Sequence, residues 1–465
     1  MGERVDAVVI GMGVAGQDVA HRLRGGGLSV VAVEEGLLGG ECPNWACVPT
    51  KMMVRAGNVL AEARRVPQLA GHATVEPDWA PVARRIRDQA THGWDDYELA
   101  AELTGSGIRL VRGRGRLAGP GRVTVDDGSG DVREFSARAI VLATGTRPAV
   151  PDIDGLAGTP YWTNRDVAEL TAIPESVTVL GGGPVGLEFA QLLRRFGAEV
   201  TLVEAADRLL EAEDPEVSAF AAEVLAADGV RVLTGVSAER VEHDRDRFVV
   251  HLGGRESVAA QRLLVATGRR ANLGDLGLDT IGGDPQAKTV EVDDRLRAAP
   301  GVWAIGDITD RGQFTHVGTY QARIAAADIL GRSGDRADYR AVPRCVFVDP
   351  EIAAVGLTLA QATEQNLRVR VGRASIPESA RGFLHHAGNE GFVTLLADAD
   401  TDVLVGAVST GPAGGEVLGL LTLAIHARTP LPVLRGMIYA YPTFCRAVED
   451  ALRDMDEKDP AGPAE

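Results

Sequence analysis

The chain has 465 residues and 45% hydrophobic side chains, more than one core can organise, so about two to four globular domains are expected. A formal net charge of −17 argues against a nucleic-acid or anionic-membrane surface, which needs a concentrated basic field. The start MGERVDAVVIGMG has no secretory pattern, no apolar window of about 18 residues occurs, and four cysteines cannot form a secreted disulfide framework; a soluble cytoplasmic protein is expected.

The segment DAVVIGMGVAGQDVAHRL predicts an apolar strand, a Gly-x-Gly-x-x-Gly turn at Gly11, Gly13 and Gly16, and a helix; LSVVAVEE predicts a second strand reaching Glu34. Glycines at this spacing let a pyrophosphate lie against N–H groups at a helix N-terminus, and the acid is placed for a ribose hydroxyl.

GGECPNWACVPTK follows, residues 39–51, with Cys42 and Cys47 five positions apart. On an ideal helix they would lie about 7.5 Å apart along the axis, beyond usual disulfide reach, so a distorted turn is expected, helped by Pro43 and Pro49. A bridge closing so small a loop stabilises little, and no second Cys pair or His cluster lies nearby to complete a zinc site. Redox cycling is favoured over a metal site or inert core cysteines. Among 48 basic residues only three are lysines, and one of them, Lys51, stands four positions past Cys47.

Residues 92–137 predict a helix and turn-rich strands inserted in the first unit. IVLATGTRPAVP then ends an apolar strand in Ala-Thr-Gly. The whole pattern recurs: SVTVLGGGPVGLEFAQLLRRFGAEVTLVEAADRLL carries Gly181, Gly183 and Gly186 with an acid at Glu204, and LLVATGRRANL closes it. Each acid falls 23 positions after its first glycine. From about residue 341 the strands RCVFVDPEIAAVGLT and GFVTLLADADTDVLVGAVSTG, then helices, predict a separate α+β domain, and DEKDPAGPAE a disordered tail.

Two dinucleotide units and a cysteine pair just after the first resemble the flavin-dependent pyridine nucleotide-disulfide oxidoreductases, the class I group that includes dihydrolipoamide dehydrogenase and mercuric reductase. GMGVAG, GGECPNWACVPTK, LATGTRP, GGGPVGLEFA, VATGRRAN, GVWAIGDIT and VPRCVFVDPEIAAVGLT carry the resemblance over nearly the whole chain. It implies an α/β fold with an FAD-binding domain (1–150), an NAD(P)-binding domain (151–272), a central segment completing the FAD site (273–340) and an α+β dimerisation domain (341–455), ahead of the tail (456–465). Glu34 would serve the adenosine ribose and Asp307 the ribityl chain; Thr315, Gly115, Thr144 and Gly145 would lie beside FAD, and Gly268 beside the nicotinamide nucleotide. Cys42 would be the thiol facing substrate, Cys47 the thiolate facing flavin, and Lys51 and Glu188 a charged pair near the reactive ring. Glu204 favours NAD(H) over NADP(H), with Arg194, Arg195 or Arg208 able to recruit a 2′-phosphate instead. The resemblance also implies a homodimer whose active sites are shared.

The sequence departs from the members of the family it resembles at the far end. Their His-Pro-Thr and following Glu are here IYAYPTFCRAVED, with Tyr441 for the histidine and Arg446 for the glutamate, so the usual base is missing. Mercuric reductases also carry tyrosine there but add a C-terminal cysteine pair, absent here. Glu41 and Trp45 are unusual within the cysteine motif, and a carboxylate beside Cys42 opposes thiolate formation unless paired, for which Arg446, at the far end of the partner chain, is the expected partner. Cys445 is either a third active-site thiol or a small buried residue, Cys345 a core residue, and His385 and His386 loop residues. The expected function is NAD(P)H-dependent reduction of a small-molecule or protein-bound disulfide, or another thiol-reactive acceptor, through FAD and the cysteine pair. The alternatives are a metal reductase, a quinone or oxygen reductase, and a retired flavoprotein.

Overall fold

A computed structural model describes residues 2–254, 256–332 and 334–458. The strands Glu3–Ile10 and Val30–Glu34 lie parallel, and Val132–Leu142 flanks the first of them. The main path of this sheet runs Arg297–Ala299, Val302–Ala304, Val132–Leu142, Glu3–Ile10, Val30–Glu34, Arg109–Arg112. A strand such as VVAVE is apolar almost throughout because its sheet is covered on both faces. The helices Val14–Gly25 and Thr315–Ile329 pack together on one face through Val19, Leu23, Ile324 and Ala325. Residues 302–329 therefore return to the first unit. Arg114–Leu117 and Arg122–Asp126 form the antiparallel insertion on Val132–Leu142.

The second unit repeats the plan with a parallel sheet in the order Arg231–Leu233, Glu199–Val203, Ser176–Leu180, Arg262–Val265. A three-stranded antiparallel sheet, Ala238–Asp244, Arg247–Leu252 and Val258–Ala260, packs against one side of it through Phe248 and Val250. The two Ala-Thr-Gly strand ends feed strands Thr146–Pro148 and Arg269–Ala271, which pair with each other as an antiparallel ribbon. The paired motifs are thus the connection between the two units.

The third domain is a five-stranded antiparallel sheet, Pro343–Val346, Glu351–Gly356, Val403–Gly411, Phe392–Asp398 and Val369–Ser375 in spatial order, covered by Gly414–His426 and Ala447–Lys458. The last helix runs three residues into the segment expected to be disordered, held by a Lys458–Asp454 pair at 2.6 Å; residues 459–465 lie outside the described residues. The long helix Cys47–Leu69 inserts Met53 into a core shared with Leu192 and Phe196 of the second unit and Val346 of the third domain. That packing fixes where the cysteine motif sits. Among the described residues no helix is long and apolar enough to cross a membrane.

Candidate active site

The two glycine turns superimpose residue by residue in their bonding. Gly11 has φ +93°, and a Cβ there would lie 2.4 Å from the Ala143 carbonyl oxygen; at Gly181, with φ +111°, it would lie 2.3 Å from that of Ala266. The Ala-Thr-Gly strand ends therefore cross directly over the turns. Glu34 accepts the Met12 N–H at 2.7 Å and the Gly36 N–H at 2.8 Å. Glu204 accepts the equivalent N–H groups of Gly182 and Ala206. Burial pushes the Glu34 carboxyl up, opposed by those two N–H donors. Each carboxylate oxygen keeps a second acceptor position, and no side chain caps the helices starting at Val14 and Pro184.

Both turns open on one cavity of about 2320 Å³, well beyond the 300–1,000 Å³ or so typical of a single small-ligand site. Gly11, Gly13, Glu34, Gly115, Thr144, Gly145, Asp307 and Thr315 line it with Gly181, Gly183, Glu204 and Gly268, and so do Cys42, Cys47, Lys51 and Glu188. Gly16 and Gly186 lie behind the turns, where a Cβ would meet the Gly11 and Gly181 carbonyl oxygens. Tyr441 is outside the cavity and 70% exposed on the third domain. The cradle fits a dinucleotide at each end. At the first, Gly115 packs directly on Ile10, where a Cβ would lie 2.9 Å from that side chain, while Asp307 accepts the Thr146 hydroxyl at 2.7 Å.

The cysteines sit on two helical pieces. Glu41–Asn44 stops at Trp45 and the chain restarts at Cys47, the first residue of the 23-residue helix. Pro49 lacks the N–H that would bind the Trp45 carbonyl, and that oxygen instead accepts from Asn164 Nδ2 at 3.0 Å. The break supplies the distorted turn that the spacing requires. Both cysteines are free thiols. Cys47 is pulled down to about 6 chiefly by the hydrogen bond from Cys42, with burial opposing and Thr315 and Lys51 assisting; Thr315 Oγ1 lies 3.5 Å from its sulfur. Cys42 is pushed up by donating that bond and by burial. Within the pair, ionisation is favoured at Cys47 and opposed at Cys42.

Lys51 Nζ lies 2.7 Å from Glu188 Oε2, and Glu188 Oε1 accepts the Phe347 N–H at 3.0 Å. The lysine also stands 4.8 Å over the Phe347 ring, so three domains meet at this pair. Cys345 is not sealed in the core: its strand is at the sheet edge and the residue lines the cavity, its thiol pushed up by burial and by Glu351. Cys445 is half-buried on the short turn Phe444–Arg446, ahead of the last helix rather than on it. His385 ends the helix Ala380–His385 and meets the Phe444 ring edge-on at 5.5 Å, while His386 follows it outside regular structure.

Within the one chain Glu41 pairs with Arg165 and Arg269, while Arg446 binds Glu449 at 3.1 Å and covers the Tyr441 ring at 5.4 Å. Arg195 is buried against Asp228 and Asp349, and Arg194 binds the Gly229 carbonyl, so neither faces a ribose. Arg208 does line the cavity, with its guanidinium tied to the Glu211 and Glu213 carbonyls. The sequence reading passed over Thr146, Arg165 and Arg269. The one available signal was that Thr146 and Arg269 each follow an Ala-Thr-Gly. Among the described residues no group of three His, Cys, Asp or Glu is placed to hold a metal ion.

Residues 5–322 match the family model described as pyridine nucleotide-disulphide oxidoreductase, and residues 342–452 match that family's dimerisation domain. The chain is 30% identical over 458 residues to a mercuric reductase of Bacillus cereus, covering 97% of this chain and 72% of that protein. It is 32% identical over 458 residues to a dihydrolipoyl dehydrogenase of Chlorobaculum tepidum, covering 97% and 96%. Among solved structures, the HOCl-induced flavoprotein disulfide reductase RclA from Escherichia coli superimposes with a TM-score of 0.84 at 26% identity, over 96% of this chain and 99% of that one. LpdA from Mycobacterium tuberculosis does so with a TM-score of 0.86 at 26% identity, over 97% and 99%. Paired dinucleotide turns, a thiol pair beside a Lys–Glu pair, and these matches over the full length lead to one statement: the chain belongs to the pyridine nucleotide-disulphide oxidoreductase family and is an FAD-dependent NAD(P)H oxidoreductase.

Proposed function

We propose that this enzyme uses NADH to reduce a disulfide or another thiol-reactive acceptor through Cys42 and Cys47. The observation that carries the reading is the placement of the thiol pair: Cys47 opens the long helix one turn from Lys51, with Thr315 Oγ1 3.5 Å from its sulfur, surroundings that pull its thiol down. Bound FAD supplies two-electron exchange between a nicotinamide and a thiol pair. The first glycine turn, Glu34, Gly115 and Asp307 would hold it, with Thr144, Gly145 and Thr315 along its wall. The second turn, Glu204 and Gly268 would hold the nucleotide. Glu204 supports NADH, since a carboxylate repels a 2′-phosphate and Arg208 is already engaged.

Cys42 would attack the acceptor. With Tyr441 in place of histidine, its proton must leave by the acceptor or by water. A homodimer is part of this reading: Phe383, Ile438 and Tyr441 leave the third domain with exposed apolar surface that a second copy would cover. The cytoplasmic location read from composition is retained with it.

A second reading, a metal-ion reductase, is favoured by Tyr441 and by the resemblance to the mercuric reductase of Bacillus cereus. The test compares the parent with Cys42→Ser and with the double Cys42→Ser/Cys47→Ser variant on disulfides, quinones and thiol-complexed metal ions. Disulfide turnover abolished by either change supports the main reading. Metal-dependent NAD(P)H consumption lost in Cys42→Ser moves the assignment to the second. Full activity in the double variant would show that the cysteines are not used.

A further inference from the structure

Glu41 directly precedes the thiol that faces substrate, and its side chain is only 18% exposed. A carboxylate there is a liability unless compensated. The compensation comes entirely from the second unit. Arg165 Nε donates to Oε1 at 2.7 Å, with its Nη2 on the same oxygen. Arg269 Nη2 lies 3.3 Å from Oε2, which also accepts from Asn164 Nδ2 at 3.3 Å. Two guanidinium groups thus hold one carboxylate.

The contacts continue inward. Arg269 Nε donates to the Thr146 hydroxyl at 2.7 Å, and that hydroxyl donates to Asp307 Oδ2 at 2.7 Å. Thr146 is buried, so these bonds are poorly replaced by water. On the outer side Arg165 lies 5.6 Å over the Trp45 ring, whose other neighbour is Trp94, stacked at 5.5 Å. The Trp45 carbonyl, freed by Pro49, is taken by Asn164. The contacts of Glu41 and of the Trp45 carbonyl pin the turn that carries the cysteines to Asn164–Ala168 and to the ribbon Thr146–Pro148 with Arg269–Ala271, while Trp94 holds the Trp45 ring from the first unit.

We propose that Glu41 is a positioning residue: clasped by Arg165 and Arg269, it fixes the Cys42 thiol and couples it through Thr146 to Asp307. This rests on the redox reading of the cysteine pair. The clasp gives Cys42 a compensated neighbour in a site that lacks the family's histidine, and it makes Cys42 ionisation depend on residues that do not touch it.

The test uses FAD-loaded full-length protein in a Cys47→Ser background, where Cys42 titrates without its thiol partner. Iodoacetamide alkylation of Cys42 is followed against pH by peptide mass spectrometry. Glu41→Gln removes the carboxylate and leaves both arginines, so the midpoint falls. Thr146→Val keeps the volume but frees Arg269 from its anchor, so Glu41 is less well compensated and the midpoint rises, by about half a pH unit or more. Glu41→Gln/Thr146→Val follows Glu41→Gln alone, because the group through which Thr146 acts is gone. A merely structural role predicts shifts of one sign or none; profiles that superimpose on the background, or move together, overturn the clasp. Failure of the redox reading would show separately, as Cys-intact protein that gains no thiols on NADH treatment.

Discussion

Lys51 Nζ lies 2.7 Å from Glu188 Oε2, although the two residues belong to different domains and Glu188 is 4% exposed. Such a pair is more costly to break than to keep, because the surviving carboxylate stays buried. Lys51→Met should therefore destabilise the protein by about 2–3 kcal/mol, less than for a fully enclosed pair because the lysine keeps contact with water. It should also raise the pH at which Cys47 ionises, since the lysine charge helps hold that thiol down. Lys51→Arg should restore most of the ionisation. Urea unfolding and thiolate absorbance against pH measure the two effects.

The polarised thiols make reduced-state stability depend on pH with a definite sign. Cys47 is lowered to about 6 in the fold, against about 8.5 for a free thiol, so its ionisation stabilises the reduced protein increasingly from pH 6 up to about 8.5 and is lost as pH falls through 6. Above that window Cys42, held protonated by the fold, acts in the opposite direction. Unfolding of reduced parent and Cys47→Ser protein between pH 5 and 9 should show a difference that peaks near pH 8 and shrinks toward pH 5. A flat difference would contradict the assignment of the thiolate.

If the two turns have the separate tasks proposed, single substitutions should separate them. Gly11→Ala drives a Cβ into the Ala143 carbonyl and should release FAD on gel filtration; Gly181→Ala does the same at Ala266 and should leave FAD bound while raising the NADH KM about tenfold or more. Loss of FAD from the Gly181 variant alone would reverse the roles given to the two units.

Nucleotide choice should turn on Glu204. Glu204→Ala leaves the Gly182 and Ala206 N–H groups without their acceptor and removes the charge facing a 2′-phosphate. The NADH to NADPH ratio of kcat/KM should fall about tenfold or more, chiefly through loss on NADH. An unchanged ratio would mean that the ribose is recognised elsewhere.

How much of this was legible depended on sequence distance. The glycine turns and their acids are local patterns, and the structure places both as strand, turn, helix and strand; the bonds from the turn N–H groups to Glu34 and Glu204 were not read from the repeat. The break between Cys42 and Cys47 followed from spacing and two prolines. Lys51 with Glu188 came through resemblance, since no periodicity links residues 137 positions apart. Arg165, 124 positions from Glu41, could not be found from the motif. Cys345 was read as core, and it does pack against the core of the third domain, but its edge strand also leaves it open to the cavity. The final helix outran its composition because an i,i+4 ion pair and packing of Met455 extend it.

The central claim is that electrons from NADH reach Cys42 and Cys47. Anaerobic titration of the oxidised FAD-loaded enzyme with NADH, with thiols counted at each addition, tests it most directly. One equivalent of NADH per chain should produce two new thiols, mapped by alkylation to Cys42 and Cys47, with a long-wavelength absorption band that vanishes in Cys47→Ser. Flavin bleaching by NADH with no gain of thiols and no such band would contradict the account.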